Sequence, residues 1–332
     1  MPHRQTHQNA LPEFASNHRL HRRRCLAAAG GVATAAIAGL KPSIAEDDDR
    51  VDPTPVETTA GETAPRIEVS LAAYSFRKYF GVMRGQPQTP PDGESPMSII
   101  DFFDYCVGHG FDAAEPTAYF FESEDDAYLL NLKRQAFRRA LPISGTAISN
   151  DFTTNALVVA KQILLVQAWI NRAAVLGAPH IRIFAGTGKQ LADHPERFDA
   201  IIDAVKQSAT VAANKGVVLG IENHGKMSAD QMVRIMDAAE STWVGMNLDT
   251  GNFVSDDPYA DVQRCLKYAV NIQLKPDMRR PDGTRYPADI ERLAKIIVDG
   301  GYRGYVAIED EGEDPKASVP RLADRFRKAI GM

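Results

Sequence analysis

From residue 67 onward, short apolar runs rich in β-branched residues alternate with longer segments whose apolar residues recur at helical spacing. Continuous or alternating apolar runs are typical of strands, whereas a period of three to four residues is typical of amphipathic helices. The pattern predicts strands at 67–74, 111–115, 143–149, 180–185, 217–222, 243–248, 271–275 and 304–309. It predicts helices between them, including 97–109, 155–176, 191–214, 228–240 and 286–299.

The order of these elements indicates the fold class. Gly or Pro marks most turns from a helix into the next strand, at Gly110, Pro142, Gly177, Gly216 and Gly304. Eight strand–helix units in about 265 residues predict an α/β protein with one (β/α)8 domain, a TIM barrel. A doubly wound open sheet is the alternative, but its glycine-rich phosphate loop is missing after the first predicted strand. The nearest candidate, at 185–188, is a lone Gly-x-Gly.

An amino-terminal segment precedes the predicted barrel. Arg22, Arg23 and Arg24 lead into a weakly apolar run at 26–40, and Ser43-Ile44-Ala45 follows. Basic, apolar and small residues in this order are typical of a secretory signal, and the arginine pair resembles the twin-arginine motif. We therefore expect residues 1–45 to be a twin-arginine-type signal peptide and the protein to be periplasmic or extracellular. An uncleaved amphipathic or disordered tail is the alternative.

The charge of the chain changes once this leader is set aside. Residues 1–45 hold six of the 38 basic and one of the 43 acidic residues, so residues 46–332 carry a net charge of −10. Such an acidic chain is poorly suited to binding the phosphate backbone of a nucleic acid. Residues 46–66, rich in Asp, Glu, Thr and Pro, predict a disordered linker before the barrel at 67–332. After residue 40 no apolar run is long enough for a stable membrane span. The sequence does not decide whether the protein forms a homo-oligomer.

Oxygen-bearing side chains end the last four predicted strands. They are Glu222, Asp249, Gln273 and Glu309. In a barrel the carboxyl ends of the strands form one rim, where active sites lie. Three carboxylates converging there would repel one another unless a cation neutralised them, so the pattern predicts a divalent metal held by these four residues. The alternative is that each acid caps a helix or pairs with a basic side chain.

At this point the chain resembles the xylose isomerase-like barrel superfamily, specifically its sugar phosphate isomerases and epimerases. The matching segments are GFDAAEPTAYFF (110–121), HIRIFAG (180–186), LGIENHG (219–225), NLDTGNF (247–253), QLKPDMR (273–279) and YVAIED (305–310). The resemblance implies the same four metal ligands. It also matches Arg279 to an arginine that binds substrate oxygen in ketose epimerases.

Three positions depart from the common pattern of that superfamily. Many members have His in place of Gln273, although Gln is a ligand in relatives that resemble 3-dehydroshikimate dehydratase. Ser228 stands where ketose epimerases have a second Glu, and Asn252 stands where several relatives have His. Asn252 is therefore a candidate substrate-binding residue, and the epimerase assignment is weaker than the metal-site assignment.

Four other residues are candidates for substrate binding. His224 lies two positions after the fifth-strand glutamate and would hold a substrate hydroxyl or act as an acid or base, unless it is a loop histidine. Arg182 would bind substrate or neutralise that glutamate, and Lys275 would bind substrate or pair with an acid on strand eight. Glu115 would contact substrate or cap a helix. The long first loop, 77–96, is a candidate lid.

The expected function is isomerisation or epimerisation of a small carbohydrate, a keto sugar or related polyol, through an enediolate. Glu222 and Glu309 would exchange the proton, beside one divalent ion. Because all four donors are oxygens, Mn2+ or Mg2+ is favoured, with Zn2+ or Co2+ as substitutes. Loss of a β-substituent would instead make the protein a dehydratase or lyase, and an exported, non-catalytic sugar-binding barrel is a remote alternative. DNA repair of the endonuclease IV type needs a zinc cluster held by several histidines. Residues 46–332 hold only four histidines and are acidic, so this function is not expected.

Overall fold

Parallel strands alternate with helices along residues 66–91 and 93–332, the part of the chain that the computed structural model describes. The main sheet contains β1 (Ile67–Ala72), β4 (Ala113–Glu115), β5 (Thr146–Ala147), β6 (His180–Phe184), β7 (Val218–Glu222), β8 (Val244–Asp249), β9 (Ala269–Leu274) and β12 (Gly304–Ile308). Two short hairpins are formed by β2 (Val82–Met83) with β3 (Gln86–Pro87), and by β10 (Asp277–Arg279) with β11 (Arg285–Pro287). The predicted signal peptide and nearly all of the predicted linker lie outside the described residues.

The helices follow the strands in sequence. They are α1 (Ile99–Gly108), α2 (Asp126–Arg138), α3 (Ala156–Leu176), α4 (Gly188–Asp193), α5 (Phe198–Lys215), α6 (Ala229–Ala239), α7 (Pro258–Cys265), α8 (Ile290–Asp299) and α9 (Pro315–Ala329). Local sequence sets their ends: the Asn155 side chain accepts a hydrogen bond from Val158 at the start of α3, and Gly177 ends it with φ 80°. No helix of the described residues is long and apolar enough to cross a membrane.

The strand order closes the sheet into a barrel. The order is β4-β1-β12-β9-β8-β7-β6-β5, and each neighbouring pair is parallel. Parallel bridges from Ala114 to Ile143 and from Thr117 to Ala147 join the two end strands. The predicted (β/α)8 fold is confirmed.

Alternation along each strand separates an apolar layer from a polar interior. On β7, Leu219 and Ile221 belong to the apolar core, whereas Gly220 and Glu222 have the opposite parity. A Cβ on Gly220 would lie 2.2 Å from His180 Nε2, so the glycine face points into the barrel. The same parity therefore carries Glu222 to the inside of the rim.

Several local predictions were wrong in their bounds, including the helix predicted at 286–299, whose first two residues belong to β11. The predicted helix at 191–214 is two helices, because Pro195 cannot donate a backbone hydrogen bond and starts a 3-10 turn between α4 and α5. The predicted strand at 143–149 is reduced to β5, with Ile143 contributing only an isolated bridge at the closing seam. Cys106 and Cys265 are buried free thiols.

Candidate active site

Four predicted metal ligands lie at one rim of the barrel. Glu222 and Asp249 are the last residues of β7 and β8, and Gln273 is paired with Asp249 across β8 and β9. Glu309 directly follows β12, and its backbone N–H donates to the Leu274 carbonyl at 3.0 Å. The four residues are only 0–5% exposed. The parallel topology therefore brings them together in a largely desolvated place.

Both carboxylate oxygens of Glu222 are engaged. The Arg182 guanidinium lies 2.9 Å from Oε2, and the Asn252 amide donates to Oε1 at 3.0 Å. Burial raises the pKa of Glu222 to about 8, although the Arg182 charge opposes this rise. Of the two roles that the sequence suggested for Arg182, the structure shows the ion pair with Glu222.

Asp249 has one satisfied and one unsatisfied oxygen. Its Oδ1 accepts a hydrogen bond from the Gly251 N–H at 2.8 Å. Its buried Oδ2 has no hydrogen-bond partner among the described residues, and the nearest charge is the Lys275 ammonium at 3.5 Å. Burial raises the pKa of Asp249 to about 6 against the pull of Lys275. A buried carboxylate oxygen without a donor is a place where a cation would be favourable.

Lys275 lies among three carboxylates. Its Nζ is 2.5 Å from Glu309 Oε1, 2.5 Å from Glu311 Oε1 and 3.5 Å from Asp249 Oδ2, and the residue is 5% exposed. Burial alone would lower the pKa of Lys275, but the carboxylates Asp249, Glu309 and Glu311 raise it well above its ordinary value. Lys275 is therefore a buried, charged partner of the strand-eight acid.

A closed ring of hydrogen bonds surrounds the amide of Gln273. Gln273 Nε2 donates to Glu115 at 3.1 Å, and its Oε1 accepts from Asn247 at 2.8 Å. Asn271 completes the ring by donating to Glu115 at 2.9 Å and to Asn247 at 2.7 Å. Burial, followed by the charge of Glu309, raises the pKa of Glu115 to about 7. The ring fixes the orientation of the Gln273 amide. Its Oε1 accepts one hydrogen bond within the ring and keeps a second lone pair that the ring does not use.

The mouth of the barrel contains a cavity of about 230 Å³. Its lining residues are Tyr74, Arg84, Tyr119, Ser149, Arg182, Phe184, Glu222, His224, Asn252, Lys275, Arg279, Glu309 and Glu311. Three sequence candidates, Glu115, Asp249 and Gln273, do not line it. Glu115 is fully buried within the amide ring.

Aromatic rings and polar groups share the walls of this cavity. The exposed His224 ring stacks on Phe184 with 4.3 Å between centroids. The Arg182 guanidinium lies 4.4 Å from the Phe184 centroid and donates to the Tyr119 hydroxyl at 3.4 Å. Arg279 donates to the Gly251 carbonyl at 3.1 Å. A cavity with apolar faces and several fixed donors suits a polyhydroxylated ligand.

Several site residues were missed by sequence reasoning. Glu311 binds Lys275, and period-two spacing from Glu309 was the available signal. Asn271 shares strand parity with Gln273, yet its contact with Glu115 on the far side of the barrel has no local signature. Arg84 belongs to the loop at 77–96, and its guanidinium lies 4.4 Å from the Tyr119 centroid. The loop therefore contributes a wall of the cavity.

The donor set suits a hard divalent cation in its chemistry. It offers carboxylate and amide oxygens, the ligands that Mg2+ and Mn2+ prefer, and one of them is the orphaned Asp249 Oδ2. Four carboxylates (Glu222, Asp249, Glu309 and Glu311) lie beside the cations Arg182 and Lys275, while Arg77 and Arg285 approach Glu311. However, in residues 66–91 and 93–332 no three His, Cys, Asp or Glu side chains are arranged to hold a metal.

Solved structures with the same architecture include an epimerase and a probable dehydratase. D-psicose 3-epimerase with D-tagatose, from Clostridium cellulolyticum H10, has a TM-score of 0.62 and 13% identity over 80% of this chain and 100% of its own. A probable 3-DHS dehydratase of petrobactin synthesis, from Bacillus anthracis, has a TM-score of 0.61 and 15% identity over 77% and 97%. A xylose isomerase-like TIM barrel protein from Mycobacterium smegmatis, in complex with magnesium, has a TM-score of 0.59 and 18% identity over 81% and 97%.

At such low identity the structural similarity shows a shared fold alone. Family membership is shown by the match of the sequence to a family model. No curated protein matches the chain. The family model described as "Xylose isomerase-like TIM barrel" matches residues 103–329, about two thirds of the chain, including every strand from β4 to β12. The protein therefore belongs to the xylose isomerase-like TIM barrel family.

Proposed function

We propose that the protein is a metal-dependent isomerase or epimerase that transfers a proton on a keto sugar or related polyol through an enediolate. The observation that carries this proposal is that Glu222 and Glu309 line one cavity together with the cations Arg182 and Lys275. The similarity to D-psicose 3-epimerase supports the reaction class. The expected ligand is a small carbohydrate.

In this proposal the two glutamates have separate roles. Glu309 accepts the proton from the carbon next to the carbonyl, and Glu222 returns one. Arg182 and Asn252 hold both Glu222 oxygens, so this carboxyl cannot rotate freely. Burial raises the pKa of Glu222 to about 8, which is close to the pH range where acid–base groups are most effective. His224 stands at the same rim and is suited to hold a substrate hydroxyl.

A divalent ion would be held by Glu222, Asp249, Gln273 and Glu309. Mn2+ or Mg2+ is proposed first because all four groups donate oxygen, with Zn2+ or Co2+ as substitutes. When bound, such an ion supplies electrophilic polarisation of a substrate carbonyl. The amide ring through Glu115 contributes by keeping the oxygen end of Gln273 in one orientation.

A dehydratase or lyase is the second candidate. It needs the same proton abstraction but has a leaving group on the neighbouring carbon. The similarity to a probable 3-DHS dehydratase favours it, as does Gln273 in place of the more common histidine. The products separate the two candidates, because only the lyase forms a carbon–carbon double bond.

Solvent isotope incorporation tests the proton transfer directly. Keto sugars and oxidised glycosides are screened with Mn2+ in D2O, and deuterium should enter the carbon next to the carbonyl. Glu309→Gln should reduce turnover by roughly 10²–10⁴-fold, the usual contribution of a general base. Glu313→Gln, an exposed acid in the same loop, is the matched control and should retain turnover.

Three results would count against this mechanism. A substrate that is turned over without solvent-derived label at any carbon would exclude proton exchange and favour a hydride shift. Full activity of a folded Glu309→Gln variant would remove the proposed base. Sugar binding without turnover of any screened compound would favour the non-catalytic barrel.

We further propose that the protein is exported by the twin-arginine route. Support comes from Arg22 and Arg23, the weak apolar run after them and the small residues at 43–45. Amino-terminal sequencing of protein from its native host should give a mature terminus near Glu46. An intact Met1 in cytoplasmic protein would contradict export.

A further inference from the structure

The ammonium of Lys275 occupies the space between two of the proposed metal ligands. It contacts Glu309 at 2.5 Å and lies 3.5 Å from the orphaned Asp249 oxygen. Its third partner, Glu311, is outside the proposed ligand set, at 2.5 Å. The lysine thus bridges two of the proposed metal ligands and a third carboxylate outside that set.

Glu311 is well placed to retain a lysine that leaves the other acids. It is partly buried, and Arg77 and Arg285 approach its Oε2 at 4.0 Å and 3.9 Å. Its Oε1 is the atom that binds Lys275. The bond to Glu311 would leave Lys275 with one ion pair if the ammonium moved away from Glu309 and Asp249.

We propose that Lys275 is a built-in cation that competes with the divalent ion for Asp249 and Glu309, and that Glu311 holds its ammonium when the ion is bound. This inference rests on the metal site of the proposed function. Two cations that share the same buried carboxylates repel each other strongly, because screening by water is weak there. Coupling is reciprocal: the ion weakens the lysine contacts as much as the lysine weakens ion binding.

The test is Mn2+ binding to the whole protein, measured by titration calorimetry and by the electron paramagnetic resonance signal of free Mn2+. Lys275→Met and Lys275→Gln, two neutral variants, should bind Mn2+ roughly 5–150-fold more tightly, the usual range of coupling between two ligands. Lys275→Arg retains the charge and should not bind more tightly than the natural protein. Lys295→Met, which removes an exposed lysine of α8, is the matched control and should leave affinity unchanged.

A double-mutant cycle tests the role of Glu311. Glu311→Gln should weaken Mn2+ binding several-fold in the natural protein, because the displaced ammonium loses its alternative partner. In the Lys275→Met background the same substitution should have a much smaller effect. Equal effects in both backgrounds would mean that Glu311 acts on the ion directly, and would overturn its role as the second lysine partner.

The remaining outcomes separate this inference from the proposed function. If the natural protein binds Mn2+ and a folded neutral variant binds it no more tightly, competition is overturned while the metal site stands. If only the neutral variants bind Mn2+, Lys275 is the permanent cation and metal dependence fails. If neither binds Mn2+, both proposals fail.

Discussion

Two glycines leave the space that a buried histidine ring occupies in the barrel interior. The His180 ring packs against Gly220 and Gly145: a Cβ on Gly220 would lie 2.2 Å from Nε2, and one on Gly145 would lie 2.6 Å from Nδ1. Both ring nitrogens lack a hydrogen-bond partner among the described residues. Glycine is therefore required by space both at Gly220 on β7 and at Gly145 just before β5, since neither position has a positive φ.

Gly220→Ala should destabilise the protein by about 1–3 kcal/mol, the usual cost of overpacking a closely packed interior. The measurement is urea unfolding followed by circular dichroism. Gly108→Ala is the control, because a Cβ there meets no atom within 4 Å and the residue is helical; it should be neutral or stabilise by up to about 1 kcal/mol. Equal unfolding midpoints for Gly220→Ala and the natural protein would contradict the predicted clash.

His180 should make the folded state sensitive to acid. Burial lowers its pKa from 6.5 to about 3, and the Arg182 charge adds to the effect. Because the unfolded chain binds the proton more readily, the stabilisation is complete above pH 6.5 and is lost as the pH falls toward 3. Between pH 7 and 4.5 the natural protein should lose about 2–3 kcal/mol more than His180→Leu.

The comparison with His180→Leu isolates this contribution. Glu115, Asp249 and Glu222 have raised pKa values, so their effect on stability has the opposite sign over the same pH range. Both proteins share these acids, and their contribution cancels in the difference. Parallel stability–pH curves for the two proteins would show that His180 does not titrate as described.

The residues that lie at the rim could be predicted because the period of a strand fixes the face on which each side chain lies. Glu222 and Asp249 end their strands as the pattern indicates. The partner of each charge could not be fixed in the same way. Whether Lys275 reaches Glu309 or a substrate depends on the stagger between β9 and the chain after β12, which no local pattern reports.

Elements were predicted well where periodicity extended over many residues. α3 runs over Ala156–Leu176 against a predicted 155–176, and β7 over Val218–Glu222 against 217–222. Prediction failed where hydrogen bonding rather than hydrophobicity decides the structure. The loop at 77–96 has few apolar repeats, yet backbone pairing folds its middle into a hairpin that reaches the cavity.

Gln88 should control the opening of this loop. Its side chain donates to the carbonyls of Arg77, at 2.5 Å, and Phe80, at 3.1 Å, and so ties the loop to its own start. Two such bonds contribute about 1–3 kcal/mol in total. Gln88→Ala should therefore accelerate tryptic cleavage after the exposed Arg84 by roughly 5–150-fold, if opening precedes cleavage.

The melting temperature should change little in Gln88→Ala, because the barrel itself keeps its contacts. Gln207→Ala is the matched control, since this exposed glutamine makes no side-chain hydrogen bond within the described residues. An unchanged cleavage rate at Arg84 would show that other contacts hold the loop, such as the bond from the Arg84 N–H to Tyr119.

At the scale of the whole molecule, the number and order of strand–helix units sufficed to predict the barrel. Closure itself was implied rather than visible, because the seam between β4 and β5 consists of isolated bridges between short strands. The polar interior was also hidden. Glu115 and Asn271 are 156 residues apart, and only the closed barrel brings them into contact.

Loading of the metal site should stabilise the whole barrel, because an ion that binds only the folded state shifts the unfolding equilibrium. At Mn2+ concentrations about 100 times its Kd the gain is about 2.7 kcal/mol, equivalent to a rise in melting temperature of roughly 5–10 °C. Prior treatment with EDTA should remove the gain, and Mn2+ in excess should restore it.

Asp249→Asn replaces the orphaned carboxylate oxygen and should abolish most of the shift, whereas the exposed control Asp256→Asn should retain it. An equal shift in Asp249→Asn would place the ion elsewhere on the protein, and no shift in the natural protein would remove the proposed metal site.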